Sequence, residues 1–371
     1  MAGRMTRLFR GQTTINFYGR RNIGFVASGL LLIITVASLF VQGLNLGIDF
    51  KGGVAFEIPV TAGMTVEKAE QAMKTVKVES ANAKVQTLSS GSSERIRIQL
   101  GDMPAATVTK LQQEFATVSK SKVNDISVST VSSTWGRSIT TKALNALFIF
   151  LLVVSAYIWY QFKEWRMAVS AIAAVVHDVG ISVGVYSVLD LEVTPATVVA
   201  FLTILGFSLY DTIVVFDKVR DNDKQFAGTR VSYGDVVNVS MNQVLMRSLN
   251  TSLAAVLPVL SLLVLGSGVF GAVALREFAL ALLVGMATGA YSSIYIATPL
   301  LGLLKERSAQ YKAMRGQLSL GSDMAHLMHT GAPVSRRQAR SATDTIVPTA
   351  PAETAEAILS HPPRPRKKSR R

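Results

Sequence analysis

Residues 194–216 read TPATVVAFLTILGFSLYDTIVVF, and only one of these 23 residues, Asp211, is charged. A helix of about 20 predominantly apolar residues is long enough to cross the hydrocarbon core of a bilayer. Five further apolar runs have the same character, and they cover residues 23–41, 144–161, 167–189, 249–266 and 277–304. The sequence therefore predicts a polytopic α-helical membrane protein with six transmembrane helices.

The composition of the whole chain agrees with a membrane protein and gives no support to an enzyme. Of its 371 residues, 49% are hydrophobic and 17% are charged, whereas soluble domains usually carry about 25% charged residues. Cysteine is absent and the four histidines are scattered, which argues against thiolate or histidine metal sites. The sequence also lacks Walker, GxSxG and HExxH motifs. We therefore expect no cofactor, no metal and no active site for covalent chemistry.

The net charge of +14 is concentrated at the two ends of the chain. Residues 1–22 contain five arginines and no acidic residue, and residues 305–371 contain 13 basic and five acidic residues. Nucleic-acid binding is one interpretation of so basic a chain, but charge that flanks apolar runs is better explained by the positive-inside rule. We therefore expect a multi-pass membrane protein with both termini in the cytoplasm and no nucleic-acid partner.

Residues 42–141, between the first two predicted helices, have a different pattern. Charged residues return, and segments with alternating apolar residues, typical of strands, are interspersed with two amphipathic segments typical of helices. Their order is β-α-β-β-α-β, which is the order of a ferredoxin-like α+β domain. Because the first helix would lead out of the cytoplasm, we expect this domain to be extracytoplasmic.

Two other polar segments are assigned to the cytoplasm. Residues 217–246 are predicted to form a loop between the fourth and fifth helices. Residues 305–371 are predicted to form a basic and largely disordered tail, since few large apolar residues follow residue 332. The final basic run, residues 364–371, is either a solvated end or a segment attracted to anionic lipids.

Two opposite charges lie at similar depth in consecutive predicted helices. Asp211 is near the inner end of the fourth helix and Arg247 opens the fifth, and charges inside a membrane require a partner or a function. Ser208 lies one turn before the aspartate and Thr251 one turn after the arginine, so the two helices would share a polar seam. The pair is either a static salt bridge or a proton carrier, in which movement of the arginine changes the proton affinity of Asp211.

A second pair of polar residues, His177 and Asp178, lies near the middle of the third predicted helix. Neighbouring side chains in a helix point about 100° apart, so the two are not expected to share one face. Asp178 is a candidate member of the polar seam, with structural and functional interpretations both open. His177 is interpreted as a packing residue that bonds to a neighbouring backbone group.

Glycines at a spacing of four indicate where helices approach each other closely. Gly180 and Gly184 form one such pair in the third helix, and Gly285 and Gly289 form another in the sixth. Small residues at this spacing allow two transmembrane helices to pack at short distance. We therefore expect both pairs to face other helices of the bundle.

The glycine-rich link after the first helix is one of four segments that resemble a known family. The link reads GIDFKGG at residues 47–53, and its candidate motif residues are Gly47, Asp49, Lys51, Gly52 and Gly53. Together with FSLYDTIVVFDKVRDN at 207–222, RSLNTS at 247–252 and GMATGAYSSI at 285–294, it resembles the motifs of the SecD/SecF family of protein-export subunits. Tyr210 stands where that family usually has asparagine.

The resemblance covers about residues 16–305 and implies a function that composition does not. The six helices would be half of a resistance-nodulation-division type bundle in the bacterial plasma membrane, completed by SecD in a heterodimer. With the SecYEG channel, and sometimes YajC, the complex would use the proton-motive force to draw unfolded exported polypeptide outward after its insertion by SecA. In the family, the positions that match Asp211 and Arg247 are implicated in proton passage.

Two other functions are weighed against protein export. A half-transporter that exports a small amphiphile would use the same polar seam, but the predicted outer domain lacks an aromatic cluster for such a ligand. A structural assembly factor would use the intramembrane charges only to hold helices together. Co-purification with SecD and SecYEG would favour export, whereas a homotrimer would favour the exporter of amphiphiles.

Overall fold

The computed structural model describes residues 13–60, 64–78, 83–90, 93–269 and 273–333. Within this part of the chain, six helices are long and apolar enough to cross a membrane, which confirms the prediction of a multi-pass helical membrane protein. The first to sixth spans cover Arg21–Val41, Ser133–Phe162, Trp165–Val188, Pro195–Gln225, Tyr233–Gly266 and Leu275–Glu306.

The described part of the chain contains eleven α-helices and six strands. The first of them are α1 Arg21–Val41, β1 Asn45–Leu46, α2 Ile48–Lys51, β2 Gly53–Pro59, α3 Val66–Thr75, β3 Lys84–Ser90, β4 Ser93–Leu100, α4 Ala105–Ser119 and β5 Ser127–Val131. The remainder are α5 Ser133–Phe162, α6 Trp165–Val188, β6 Glu192–Val193, α7 Pro195–Gln225, α8 Tyr233–Ser261, α9 Val273–Ser292, α10 Thr298–Glu306 and α11 Ser322–Thr330. Two π-helical segments, Leu262–Val269 and Ser293–Ala297, lie in the second half of the chain.

The segment between the first two spans is a ferredoxin-like domain. Strands β2 to β5 form an antiparallel sheet in the order β3-β4-β2-β5, with α3 following β2 and α4 following β4. Alternate residues such as Phe56 and Ile98, which are paired across the sheet, are fully buried. The ring of Phe56 packs edge-on against Phe115 of α4 at 5.2 Å between centroids. The period-two pattern thus places the helices on one face of the sheet, as the sequence predicted.

The other face of this sheet carries polar residues that contact the membrane bundle. Arg97 Nη1 on β4 lies 3.2 Å from Glu192 Oε2 on β6, and Lys84 Nζ on β3 lies 2.8 Å from Asp190 Oδ1. Burial raises the pKa of Glu192, and the neighbouring Arg97 opposes that rise. Strand β6 also pairs in parallel with β1, which follows the first span. The domain therefore rests on the loop between the third and fourth spans.

Close contacts between spans occur at the glycines singled out in the sequence. A Cβ atom at Gly285 would lie 2.2 Å from Ile204, and one at Gly289 would lie 3.0 Å from Ser208. The sixth span therefore packs directly on the fourth through these two positions.

The second glycine pair brings the third span against the first. A Cβ at Gly184 would lie 1.9 Å from Thr35 Oγ1, and one at Gly180 would lie 3.1 Å from Leu32. The third span thus packs directly on the first through these two positions.

Two predicted boundaries are wrong. The polar loop expected at 217–246 does not form, because α7 continues to Gln225 and α8 begins at Tyr233. Polar residues in this part of α8, such as Asn238 and Asn242, are fully buried against other parts of the chain rather than solvated. The second span begins at Ser133, so residues 133–141 belong to a helix and not to the outer domain.

The end of the bundle opposite the ferredoxin-like domain is covered by both ends of the described chain. Asn242 Oδ1 accepts a hydrogen bond of 2.9 Å from the Ile15 amide, and Asn238 Oδ1 accepts one of 2.8 Å from the Tyr18 amide. On α11, Met324 and Leu327 are fully buried. Residues 305–333 of the predicted tail are therefore ordered, whereas residues 334–371, most of the segment for which disorder was predicted, lie outside the described residues. The predicted basic run at 364–371 and the three most N-terminal arginines lie outside the described residues.

Candidate functional site

Asp211 is buried in the fourth span and is bonded by hydroxyl groups. Only 3% of the residue is exposed. Its carboxylate accepts hydrogen bonds from Ser248 Oγ on the fifth span, at 2.7 Å to Oδ1 and 2.9 Å to Oδ2. Ser293 Oγ on the sixth span donates to Oδ2 as well. Three spans therefore meet at this carboxylate.

The structure does not form the predicted pair between Asp211 and Arg247. Arg247 is exposed, and within the described residues it makes no ion pair with the aspartate. The residue that reaches the aspartate is its neighbour, Ser248, because successive side chains of a helix point about 100° apart. Thr251 also misses the carboxylate and donates to the Arg247 and Ser248 carbonyls at 3.0 and 2.9 Å.

Asp178 is the centre of a second buried carboxylate site, in the third span. The residue is fully buried, and its Oδ2 accepts hydrogen bonds from Ser208 Oγ at 2.5 Å and Ser292 Oγ at 2.7 Å. Ser208 is thus a partner of Asp178 and not of Asp211, although it lies one turn before the latter. Asp178 therefore joins the third span to the fourth and the sixth, whereas the predicted seam lay between the fourth and the fifth.

His177 bonds to Asp178 and not to a backbone group, which corrects its sequence-based interpretation. Its Nδ1 lies 3.0 Å from Asp178 Oδ1, since both side chains bend toward each other despite the angle between their positions. Its Nε2 is buried without a hydrogen-bond partner in the described structure. The ring lies 6.2 Å from that of Tyr291, between centroids.

Sequence reasoning missed the three serines that complete these sites: Ser248, Ser292 and Ser293. The last two are adjacent on the sixth span and are fully buried. Both stand in the GMATGAYSSI motif at 285–294, which was noted for its resemblance but not for its hydroxyls. Serines are common in membrane helices, where they often bond to their own backbone. The presence of a serine in a span therefore did not indicate that its hydroxyl bonds to an aspartate.

The chemistry available here is that of carboxylates held mainly by hydroxyl donors. In the described part of the chain, no lysine or arginine forms an ion pair with either aspartate. A hydroxyl can donate to a charged carboxylate and can accept from a protonated one, so both protonation states can be accommodated. Among the described residues, no three histidine, aspartate or glutamate side chains are grouped so that they could hold a metal ion.

The glycine-rich link at residues 47–53 is separate from the aspartates and lies beneath the ferredoxin-like domain. Gly52 and Gly53 have φ angles of 77° and 131°, which only glycine adopts readily. A Cβ at Gly53 would lie 2.2 Å from the Leu100 carbonyl oxygen, and one at Gly47 would lie 2.6 Å from Glu192 Oε1. Asp49 and Lys51 flank Phe50 in α2, with Lys51 exposed. The link therefore shapes the junction between domain and bundle.

Comparisons with known proteins were consistent with one another. Residues 110–307 match the family described as protein export membrane protein SecD/SecF, C-terminal, and residues 37–63 match the SecD/SecF GG motif. Protein translocase subunit SecF of Streptomyces coelicolor is 39% identical over 310 residues, which are 83% of this chain and 82% of that protein. Subunit SecF of Mycobacterium tuberculosis is 38% identical over 312 residues, 82% of this chain and 70% of that protein.

A solved structure is similar as well. The crystal structure of SecDF from Thermus thermophilus, described as a translocon-associated membrane protein, has a TM-score of 0.71 and 34% identity. The match covers 80% of this chain but 39% of the SecDF chain. The chain thus spans less than half the length of that larger protein.

Proposed function

Because the chain belongs to the SecD/SecF protein-export family, we propose that it uses the proton-motive force, together with SecD, to promote late steps of polypeptide translocation across the plasma membrane. A role in Sec protein export follows from the family itself. The use of protons and the late stage of action are the parts that we propose. We also propose that the chain performs no covalent chemistry of its own.

The observation that carries this proposal is the burial of Asp211 among hydroxyl donors. An ionisable residue inside a membrane span is costly and is usually part of an ion or proton pathway. Asp211 is 3% exposed and is bonded by Ser248 and Ser293, neither of which can neutralise a negative charge. A proton that moves down the membrane potential releases about 2.3 kcal/mol per 100 mV. Repeated protonation at this site would therefore supply the energy for a domain movement.

The exposed surface of the spans supports a second membrane subunit as partner. Only 6% of the most apolar part of the second span is buried within the chain, and only 11% of that of the fifth span. Arg247 is exposed on the fifth span, where contact with lipid would be costly. A SecD subunit packed on these surfaces would cover both, in agreement with the similarity to a SecDF chain.

The charge distribution supports an orientation for the protein. Arginines are abundant before the first span and basic residues follow the sixth, and such flanks are typically cytoplasmic. We therefore place both termini in the cytoplasm and the ferredoxin-like domain outside the membrane. There it can meet polypeptide emerging from the SecYEG channel, and the basic ends can meet anionic lipids.

The test replaces Asp211 in the full chain and compares it with a matched aspartate on the same helix. Asp217 pairs with Arg220 at 3.1 Å, and its side chain is 53% exposed. We expect D211N to insert normally, to co-purify with SecD and SecYEG, and to reduce export to the level of cells that lack the protein. D217N is expected to keep export. Normal export by D211N at normal protein levels would contradict the proposal.

A further inference from the structure

We propose that Ser292 and Ser293 are positioning residues that couple Asp178 and Asp211 into one proton-binding unit. Protonation of either carboxylate would then change how readily the other accepts a proton. This inference rests on the proposed role of the aspartates in proton binding, and it assigns a part in that role to the sixth span.

The first observation is that two adjacent serines reach two different helices. Ser292 Oγ donates to Asp178 Oδ2 on the third span at 2.7 Å, and Ser293 Oγ donates to Asp211 Oδ2 on the fourth. Consecutive residues of a helix point about 100° apart, so neighbours in sequence can face two neighbouring spans. Both serines are fully buried. One peptide unit of the sixth span therefore links the two carboxylates.

The second observation is that these two hydroxyls have an alternative acceptor. Ser292 Oγ also lies 3.2 Å from the Gly289 carbonyl oxygen, and Ser293 Oγ lies 3.2 Å from that of Ala290. For the other serines of the sites, Ser208 and Ser248, the carboxylate is the hydroxyl acceptor in the described structure. Ser292 and Ser293 thus differ from them in being able to turn away from the carboxylate without losing a bond.

This alternative gives each serine a defined response to protonation. With a charged carboxylate, the hydroxyl donates its hydrogen to the carboxylate oxygen. When that carboxylate takes up one proton, its new O–H donates to the serine oxygen, and the serine hydrogen turns to the backbone carbonyl. The serine keeps its own hydrogen throughout and only changes the direction in which it points. The hydrogen-bond pattern of the sixth span changes instead.

The third observation is a π-helical segment that begins at one of the two serines. Residues Ser293–Ala297 form this segment, and Thr298 Oγ1 donates to the Ser293 carbonyl at 2.7 Å. Short π-helical segments interrupt the regular bonding of a helix and occur frequently at functional sites. A change at one serine can therefore alter the orientation of the adjacent serine, and with it the bonding of the other carboxylate.

Ser208 also joins the fourth span to Asp178, but within the described structure its hydroxyl bonds only to that carboxylate and has no backbone carbonyl to turn to. His177 bonds to Asp178, and the ring of Tyr291 lies 6.2 Å from its ring. Arg247 is on the adjoining fifth span but is exposed and pairs with neither aspartate within the described residues. No other described lysine or arginine forms an ion pair with either aspartate. Direct repulsion between the two charges adds to the coupling and is present with or without the serines.

The test measures the coupling itself, by infrared titration of the carboxyl groups in the full-length protein purified with its partners. In the wild-type background, D178N should shift the pH of half-titration of Asp211, and D211N should shift that of Asp178. In S292A/S293A these shifts should fall by more than half, and each single alanine variant should reduce them in part. Unchanged shifts in the single and double variants would overturn the inference.

Three controls separate coupling from folding. Ser→Thr at either position keeps the hydroxyl and should keep the coupling. Ser155 donates to the Leu151 carbonyl at 2.6 Å, so S155A removes a serine of the bundle without touching the aspartates and should leave the titrations unchanged. Single variants remain informative even where the double variant does not fold.

Export activity distinguishes failure of the inference from failure of the proposed function. Loss of export in D211N with undiminished coupling in the serine variants would overturn the inference and leave the proposed function standing. Coupling that depends on the serines, together with normal export in D211N, would support the inference and overturn the proposed function.

Discussion

The two buried aspartates have similar hydrogen bonds but different surroundings. Asp178 and Asp211 each accept a hydroxyl from the adjacent pair Ser292 and Ser293, and each accepts a further serine hydroxyl from a neighbouring span. Asp178 is also bonded to His177, a residue that is only 6% exposed. Its site is therefore closed on all sides by the chain itself.

Asp211 lies closer to the surface that this chain leaves uncovered. The residue before it, Tyr210, is 54% exposed. Ser248, which donates to Asp211, directly follows the exposed Arg247. A group that must exchange protons requires a route to water or to a partner, whereas a group that only stabilises packing does not. Of the two, Asp211 is therefore the better placed for the proposed proton exchange, and Asp178 is its internal counterpart.

The largest expected effect is the difference between D211N and D178N. An asparagine has a similar shape but cannot take up a proton, so D211N should abolish proton-driven export. D178N should retain part of it, while losing about 1–3 kcal/mol of stability from disturbed buried hydrogen bonds. Export assays and thermal unfolding on the same preparations would measure both. A greater loss of export in D178N than in D211N would reverse the comparison.

A second large effect is expected from R247M. The arginine does not contact Asp211 in this chain. It directly precedes the buried Ser248, which does, and its own side chain is exposed on the surface of the fifth span. We expect export to be strongly impaired while insertion and association with SecD are preserved. Arg230 is exposed in the connection between α7 and α8, and R230M serves as the control with normal export. Dissociation of the complex in R247M would instead indicate a static structural role.

An intermediate effect should separate the serines that are specific to each site. S248A removes a donor from Asp211, and loss of a hydrogen bond to a charged group costs about 1.5–3 kcal/mol. The pH of half-maximal export should therefore move upward by about 1–2 units. S208A removes the corresponding donor from Asp178 and should lower stability without this movement. Equal pH profiles for both variants would show that the sites do not differ as described.

The smallest effect is expected at Glu164, which shows how a structural carboxylate behaves. It lies 2.5 Å from Lys305 Nζ and 2.9 Å from Arg166 Nη1. Burial acts to raise its pKa, but the two cations together lower it below the ordinary value. A carboxyl with a lowered pKa stabilises the fold above its unfolded pKa and loses this contribution as the pH falls through its folded pKa.

The expected result for E164Q is accordingly a loss of about 1 kcal/mol at neutral pH. This loss should disappear in acid, and the pH dependence of export should stay as in the wild type. Thermal unfolding at two pH values measures it. A shifted export profile in E164Q would mean that export does not report specifically on the aspartates.

Most of the fold could be predicted because membrane spans and the outer domain have strong periodic signals. The apolar runs located six spans, and the alternation around Phe56 and Ile98 located the sheet. The prediction failed at residues 217–246, where the helices extend beyond the apolar window. Asn238 and Asn242 read as solvated loop residues, yet they bind the backbone of residues 15–18. Such a contact joins distant parts of the chain and leaves no local pattern.

The candidate site could be predicted in its two aspartates and in Ser208, although Ser208 bonds to Asp178 and not to Asp211. Asp178 and Asp211 were evident because carboxylates are rare in apolar runs. Their other partners were not, because a shift of one residue along a helix turns a side chain by about 100°. Reasoning from depth alone selected Arg247, whereas helix orientation selects Ser248. The orientation of each span depends on its neighbours and not on its own sequence.

The most direct test of proton use is the rate of polypeptide export in vesicles as a function of an imposed proton gradient. The gradient should accelerate export in vesicles that contain the wild-type complex, while vesicles with D211N should stay at the rate seen without a gradient. Equal acceleration of both at equal protein levels would contradict a proton-binding role for Asp211.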